Sequence, residues 1–273
     1  MVPRMAWSER QHLLLRSMGL RLWSAPVREV VPGPAPESRA PAVVADAREP
    51  GVPTAPAQRT APAALPALPV AAPAASDLDW PALRAAVAAC RACGLCESRT
   101  QTVFGSGHLQ AHWLVVGEAP GEQEDLQGEP FVGAAGQLLD RMLAALRLTR
   151  GEDGTAPPAR RVYIANTLKC RPPRNRNPSA LELAQCEPFL VRQIELLQPR
   201  IILAMGRYAV QALLRSEEPI GRLRGRVHQY QGVPLVVTYH PAYLLRNLPE
   251  KAKAWEDLCL AADVADRVLE SGA

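Results

Sequence analysis

From residue 77 onward, short unbroken apolar runs alternate with longer stretches whose apolar residues recur every three or four positions. The runs are 113–116 (WLVV), 162–165 (VYIA), 201–204 (IILA) and 235–238 (LVVT). Runs this short and this apolar read as strands covered on both faces. The longer stretches read as helices. Trp80 to Cys90 carries Leu83, Val87 and Ala88 on one side, and Gln137 to Leu148 carries Leu138, Leu139, Met142, Leu143 and Leu146 on one face. Ser179 with Glu182 three residues later forms a capping box for a helix running to about Leu197. Further helices are predicted near Tyr208 to Leu214 and from Pro249 to Leu269.

This alternation predicts an α/β fold, a three-layer α/β/α sandwich around a central, mainly parallel four-stranded sheet. Ligands of such sheets bind beyond the carboxyl ends of the strands. The loops after the four runs are therefore where chemistry is to be sought. Residues 26–76 follow another pattern: twelve of the 27 prolines fall there, among Ala and Val. That density removes helix donors and favours extended, solvated chain, so this segment reads as a flexible tether. Before it, at 1–25, Leu13, Leu14, Met18, Leu20, Leu22 and Trp23 suggest a short amphipathic helix. The folded domain is expected at 77–273.

Composition excludes several classes. Hydrophobic residues make up 48% and charged residues 21% of the 273, an ordinary globular balance. No apolar run of the length of a membrane span occurs. Arg16 and Arg21 interrupt the N-terminal apolar patch and no cleavage pattern follows, so a cytoplasmic protein, without membrane partners and monomeric, is expected. Six cysteines in that setting point to a metal, a cluster or catalysis rather than to disulfides. The net charge of +4 is modest, but Lys169, Arg171, Arg174 and Arg176 form one basic stretch and Arg222, Arg224 and Arg226 another, both without acidic residues. Such stretches are commonly solvated loops; two of them beside other chemistry favour a polyanionic partner.

The first run is followed by Gly117-Glu118-Ala119-Pro120-Gly121 and an acidic stretch, then by Pro130-Phe131-Val132-Gly133. Phe131, one of three phenylalanines, sits in this Gly-rich loop rather than on a core stripe. The second run ends at Asn166 and leads to Lys169 and Cys170; the fourth leads to His240 and on to Leu244 and Arg246. An Asn at a strand end is commonly a turn residue, and a lone loop His commonly a surface one. Yet Glu118, Asn166 and His240 all fall just past the carboxyl ends of separate strands. Among the cysteines, Cys90 and Cys93 form a C-x2-C pair, Cys96 follows three residues on, and Cys170 and Cys186 form a second pair. Two pairs of thiolates suit zinc or an iron–sulfur cluster. Cys259, in the last helix, reads as a core residue.

Five motifs in this order, GEAPG at 117–121, PFVG at 130–133, YIAN at 163–166, LKCRPP at 168–173 and HPAYLLRN at 240–247, resemble the family 4 uracil-DNA glycosylases, the bacterial and archaeal group with a [4Fe–4S] cluster. The resemblance covers the chain from about Ala89 to the last helix. It implies a base-excision-repair enzyme acting on uracil-containing DNA, single- or double-stranded, that hydrolyses the glycosidic bond of a flipped-out deoxyuridine and leaves an abasic site. It assigns Cys90, Cys93, Cys170 and Cys186 to a structural [4Fe–4S] cluster, with Cys96 outside the ligand set. It implies that Phe131 stacks on the base, that Asn166 reads its edge, and that Glu118 and Ala119 line the uracil site. His240 then stabilises the departing anion, and Glu118 positions the water with Glu124 as a second candidate. Leu244 is implied as the wedge that fills the vacated stack, with Arg246, Arg171, Arg174 and Arg224 on the DNA backbone. Two other readings stay open: a related uracil-binding protein in which a loop His, here His228, traps the sugar covalently, and a non-catalytic zinc or iron–sulfur DNA-binding module.

Overall fold

The computed structural model describes residues 75–151 and 155–270. The expected amphipathic segment at 1–25 and the tether up to residue 74 lie outside the described residues. Ala75, placed at the end of the tether, is already buried against Leu83, Val87, Phe104 and Phe189.

Six strands form one sheet: β1 (Ser106–Gly107), β2 (Trp113–Gly117), β3 (Val162–Asn166), β4 (Ile201–Met205), β5 (Val227–Tyr230) and β6 (Val233–Thr238), in the order β1-β3-β2-β4-β6-β5. The four predicted runs are β2, β3, β4 and β6, and they pair in parallel. β1 and β5 add antiparallel edges that the hydrophobic pattern does not reveal. β1 is only two residues long, and β5 alternates exposed and half-buried positions just after the Arg222–Arg226 stretch. Edge strands of this kind are wetted on one side and lose the continuous apolar signature.

The α-helices among the described residues are α1 (Trp80–Ala89), α2 (Leu95–Ser98), α3 (Glu122–Gln127), α4 (Ala134–Ala145), α5 (Ala180–Leu197), α6 (Arg207–Leu214), α7 (Ile220–Leu223), α8 (Pro241–Arg246) and α9 (Glu250–Glu270). Because strand side chains alternate between faces, Val115, Ile164, Leu203 and Val236 point to one layer, with Leu139, Met142 and Leu143 of α4 and Trp255 and Leu258 of α9. Leu114, Val116, Ile202 and Val237 point to the other, with Leu190 and Ile194 of α5 and Val210 and Leu213 of α6. This is the expected three-layer sandwich. Every position of β2, β3 and β4 is buried, which is why those strands read as unbroken apolar runs. Ser179 caps α5 as predicted: its hydroxyl accepts from the Glu182 amide, and the Glu182 carboxylate accepts from the Ser179 amide.

β3 lies on one side of β2, and β4 and β6 lie on the other. The strand order therefore reverses at β2, and the loops leaving these strands part at their carboxyl ends. A crevice at that point is the usual ligand position of an open α/β sheet.

Candidate active site and cysteine cavity

A cleft of about 690 Å³ opens there, and Glu118, Ala119, Glu124, Phe131, Asn166 and His240 all line it. Two backbone bonds and one side-chain bond fix the end of β2 against the chain leaving β3. The Thr167 amide donates to the Gly117 carbonyl, and the Leu168 amide and the Thr167 hydroxyl both donate to the Glu118 carbonyl. Gly117 touches the site so closely that an added Cβ would lie 2.4 Å from Asn166 Oδ1 and 2.7 Å from Phe131 Cζ. Any side chain there would push the amide and the ring apart.

Asn166 is 3% exposed, and its side-chain Oδ1 is buried without a hydrogen-bond partner. An unpaired buried acceptor costs about 1–3 kcal/mol. Such an atom on the wall of a cleft is suited to a ligand donor. The Phe131 ring stacks on the His240 ring, with centroids 5.3 Å apart and planes 29° from parallel. Phe131 holds a left-handed backbone, φ +56°, a conformation that costs a non-glycine residue about 1–3 kcal/mol and concentrates at ligand sites.

His240 is the N-cap of α8, and its Nδ1 accepts the Ala242 amide 3.2 Å away. Burial pushes its pKa down to about 4, so at neutral pH the ring is uncharged. With Nδ1 occupied as an acceptor, the single proton of the neutral ring sits on Nε2, leaving a donor there. Burial raises the Glu118 carboxyl above the usual carboxylate range. Glu124 is engaged otherwise: Oε2 accepts the Gly121 amide at 3.1 Å, and Oε1 accepts the Val132 and Gly133 amides at 3.1 and 3.2 Å. Both oxygens hold the loop, which leaves Glu118 as the less committed carboxylate of the two.

Several expected DNA contacts need correction. Leu244 is 1% exposed and belongs to the core with α4 and α9, so it is no wedge in this conformation; the next residue, Leu245, is 41% exposed. The rotation of about 100° between two successive helical residues decides this, and a motif match does not resolve it. Leu244→Ala is therefore expected to lower stability by about 2–5 kcal/mol, read as a lower urea midpoint, while Leu245→Ala leaves stability within about 0.5 kcal/mol of wild type and the midpoint nearly unmoved. Equal midpoints for both variants would contradict the burial. Arg224 does not face the cleft, because its guanidinium donates to the buried Asp257 and to Glu256 on α9. Lys169, counted with the first basic stretch, is 1% exposed and donates to the Asn166 carbonyl and to Gln193. Arg174 is exposed, and Arg171 is half-buried with Nε on the Asn175 side chain. Arg246 does line the cleft. So do Arg176 and Arg207, which no expectation named as site residues. Arg207 follows the third apolar run, and the rule of strand carboxyl ends, applied to that loop as well, would have found it. His228 lies on β5 with Nε2 2.7 Å from the Leu223 carbonyl and is not among the cleft residues.

Beside the cleft lies a second, apolar cavity. Cys90, Cys93, Cys96, Cys170 and Cys186 line it, with Val87, Leu95, Leu168 and Phe189. None of the six cysteines is in a disulfide. Two donors reach sulfur: Arg99 Nη1 lies 2.9 Å from Cys170 Sγ, and the Lys169 amide 3.2 Å from Cys186 Sγ. Burial pushes the Cys186 thiol up to about 12 and raises Cys93 and Cys170, so thiolates persist here only with a positive centre beside them. No three His, Cys, Asp or Glu side chains among the described residues are grouped to hold a single metal ion. Five cysteine side chains around one apolar cavity are a donor set suited to a thiolate-bound group, zinc or iron–sulfur. Ala119 packs among Leu95, Leu168 and Cys170 and so forms part of the wall between cavity and cleft. Cys259 packs on the core, as expected.

A three-layer sheet with this cleft and an adjoining cysteine cavity defines a class, and comparison with known proteins agrees with it: residues 104–259 match the uracil DNA glycosylase superfamily. Within that class, the type-4 uracil-DNA glycosylase of Archaeoglobus fulgidus is 43% identical over 167 residues, 58% of this chain and 79% of the relative. That of Pyrobaculum aerophilum is 39% identical over 193 residues, 67% of this chain and 93% of the relative. That of Thermotoga maritima is 43% identical over 160 residues, 58% and 79%. The chain belongs to the type-4 uracil-DNA glycosylases. No helix among the described residues is long and apolar enough to cross a membrane.

Proposed function

We propose that this protein removes uracil from DNA by hydrolysing the bond between the base and the sugar of a flipped-out deoxyuridine. The observation that carries the reading is the buried, unpartnered Asn166 Oδ1 on a cleft shared with Glu118, Phe131 and His240. A base inside the duplex is out of reach of these groups, so the nucleotide turns out of the stack into the cleft. Arg207 and Arg246 at its walls are placed for the phosphates, which position the strand without reading sequence, whereas the guanidinium of Arg176 is paired with Glu182.

In the pocket, Asn166 accepts from uracil N3–H and donates to O4. Cytosine presents the opposite pattern at both atoms, which leaves buried groups unpaired at about 1–3 kcal/mol each. The Phe131 ring supports the base. As the N1–C1′ bond breaks, its electron pair moves onto the uracil ring and negative charge gathers on O2. The Nε2–H of neutral His240 stabilises that charge as a donor already in place. The Glu118 carboxylate faces the positive charge left on the sugar and takes a proton from the water whose oxygen bonds to C1′. The products are free uracil and an abasic site.

Cys90, Cys93, Cys170 and Cys186 would hold a [4Fe–4S] cluster, with Cys96 outside the set. The cluster supplies a structural tie between the segment before β1 and the loop after β3, and takes no part in the reaction steps above.

The test is incubation with a uracil-containing oligonucleotide followed by alkaline cleavage at abasic sites. Strand breakage at uracil with repeated turnover is expected, and Asn166→Ala should lose on the order of 10–100-fold in kcat/KM from two missing base contacts while DNA binding stays. Binding without strand breakage would leave the non-catalytic module as the better reading. A stable protein–DNA adduct would favour covalent trapping instead.

A further inference from the structure

Phe131 is held in its left-handed conformation by charges on both sides of one peptide group. The Glu124 carboxylate accepts the Val132 amide of the Phe131–Val132 peptide, and the guanidinium of Arg150 takes the carbonyl end of the same peptide, Nη2 lying 3.1 Å from the Phe131 oxygen. Arg150 Nη1 also donates to the preceding carbonyl, that of Pro130, at 3.0 Å. The arginine is tied in turn to α4 by an ion pair with Asp140 at 3.0 Å. The Phe131 carbonyl packs directly on Gly136, where an added Cβ would come within 1.7 Å of its oxygen. Arg150 lies outside every motif that marks the site, and its side chain is 24% exposed.

We propose that Arg150 is a positioning residue: it grips two successive carbonyls, sets the plane of the Phe131–Val132 peptide and so aims the Phe131 ring at the base. Only a planar fork reaches both oxygens at once, which is why an arginine stands there and a lysine would serve less well. The inference rests on the uracil reading above, in which Phe131 supports the flipped base.

The experiment is a double-mutant cycle on the full chain: wild type, Arg150→Met, Phe131→Ala and the double variant. It reads kcat and KM on a single-stranded uracil oligonucleotide, with thermal unfolding alongside. Arg150→Met is expected to lower kcat/KM on the order of 10–100-fold, the scale of a sub-ångström to ångström misplacement of a binding group. In the Phe131→Ala background the same change is expected to cost nothing further, since the ring it orients is gone. Losses that multiply in the double variant would overturn the proposal, because Arg150 would then act elsewhere. So would wild-type kinetics of Arg150→Met beside a damaged Phe131→Ala, an outcome that leaves the uracil reading standing. If Phe131→Ala itself keeps wild-type kcat/KM, the role of Phe131 falls and this inference falls with it. Should Arg150→Met fail to fold, Arg150→Lys replaces it in the cycle. It keeps the charge and one of the two carbonyl contacts, so an intermediate loss, again absorbed by Phe131→Ala, is expected. Full activity of Arg150→Lys would count against the proposal.

Discussion

Replacing His240 by alanine is expected to slow single-turnover uracil excision by on the order of 100–1000-fold, the usual cost of removing one donor from a developing anion. The physical case is the state of the ring. Its pKa lies at about 4, and its Nδ1 is occupied by the Ala242 amide, so at neutral pH the one ring proton sits on Nε2 of a residue that lines the cleft. Binding to uracil DNA should change far less than the rate, because the phosphate contacts lie elsewhere. The same assignment has a sign in pH. Activity needs the neutral imidazole, present above about pH 4, and the Glu118 carboxylate, present above a pKa that burial has raised. Activity is therefore flat on the neutral side and lost as pH falls through the Glu118 value. That acid limb should vanish in Glu118→Gln, on the residual rate. A limb near pH 6.5 that survives Glu118→Gln would mean an ordinary, titrating histidine and would sink the neutral-donor assignment.

The second large effect is expected at the cysteine cavity. Cys170→Ala should lose the brown chromophore and most of about four irons per chain. It should also lower the thermal midpoint by on the order of 10 °C or more, since cluster binding is linked to folding. Cys170 sits four residues after Asn166, and Lys169 between them spans from the Asn166 carbonyl to Gln193. Releasing this segment should damage excision as well as stability. Cys96→Ala lines the same cavity and should keep its iron. Iron retained in Cys170→Ala but lost in Cys96→Ala would replace the ligand set, and a colourless protein loaded with zinc would replace the cluster.

Much of this site was legible along the chain. Glu118, Asn166 and His240 could be placed on one side of the sheet because each follows an apolar strand, and strand ends in a parallel sheet share an edge. The cysteine pairs were legible for their spacing, and the Ser179 cap because capping is a contact over three residues. Leu244, Arg224 and Lys169 were misplaced for one common reason. Each stands in a motif or a charge run of the right composition, but whether a side chain faces solvent or core depends on neighbours far away: α4 and α9 for Leu244, Asp257 for Arg224, Gln193 for Lys169. Arg150 escaped notice because its partners are carbonyl oxygens, which every residue possesses and no pattern marks.

By itself the sequence determined the four parallel strands, the layer of helices on each face, the strand-end residues of the cleft and the thiols of the cavity. These follow from periodicity and local chemistry, which are written within a few residues of one another. The tertiary structure alone decided which arginines are spent inside the fold, that the wedge position is buried, that both Glu124 oxygens hold the loop, and that the Phe131 peptide is clamped by opposite charges. Those outcomes depend on contacts between distant segments, where each polar group settles on whichever partner packing brings within hydrogen-bonding reach.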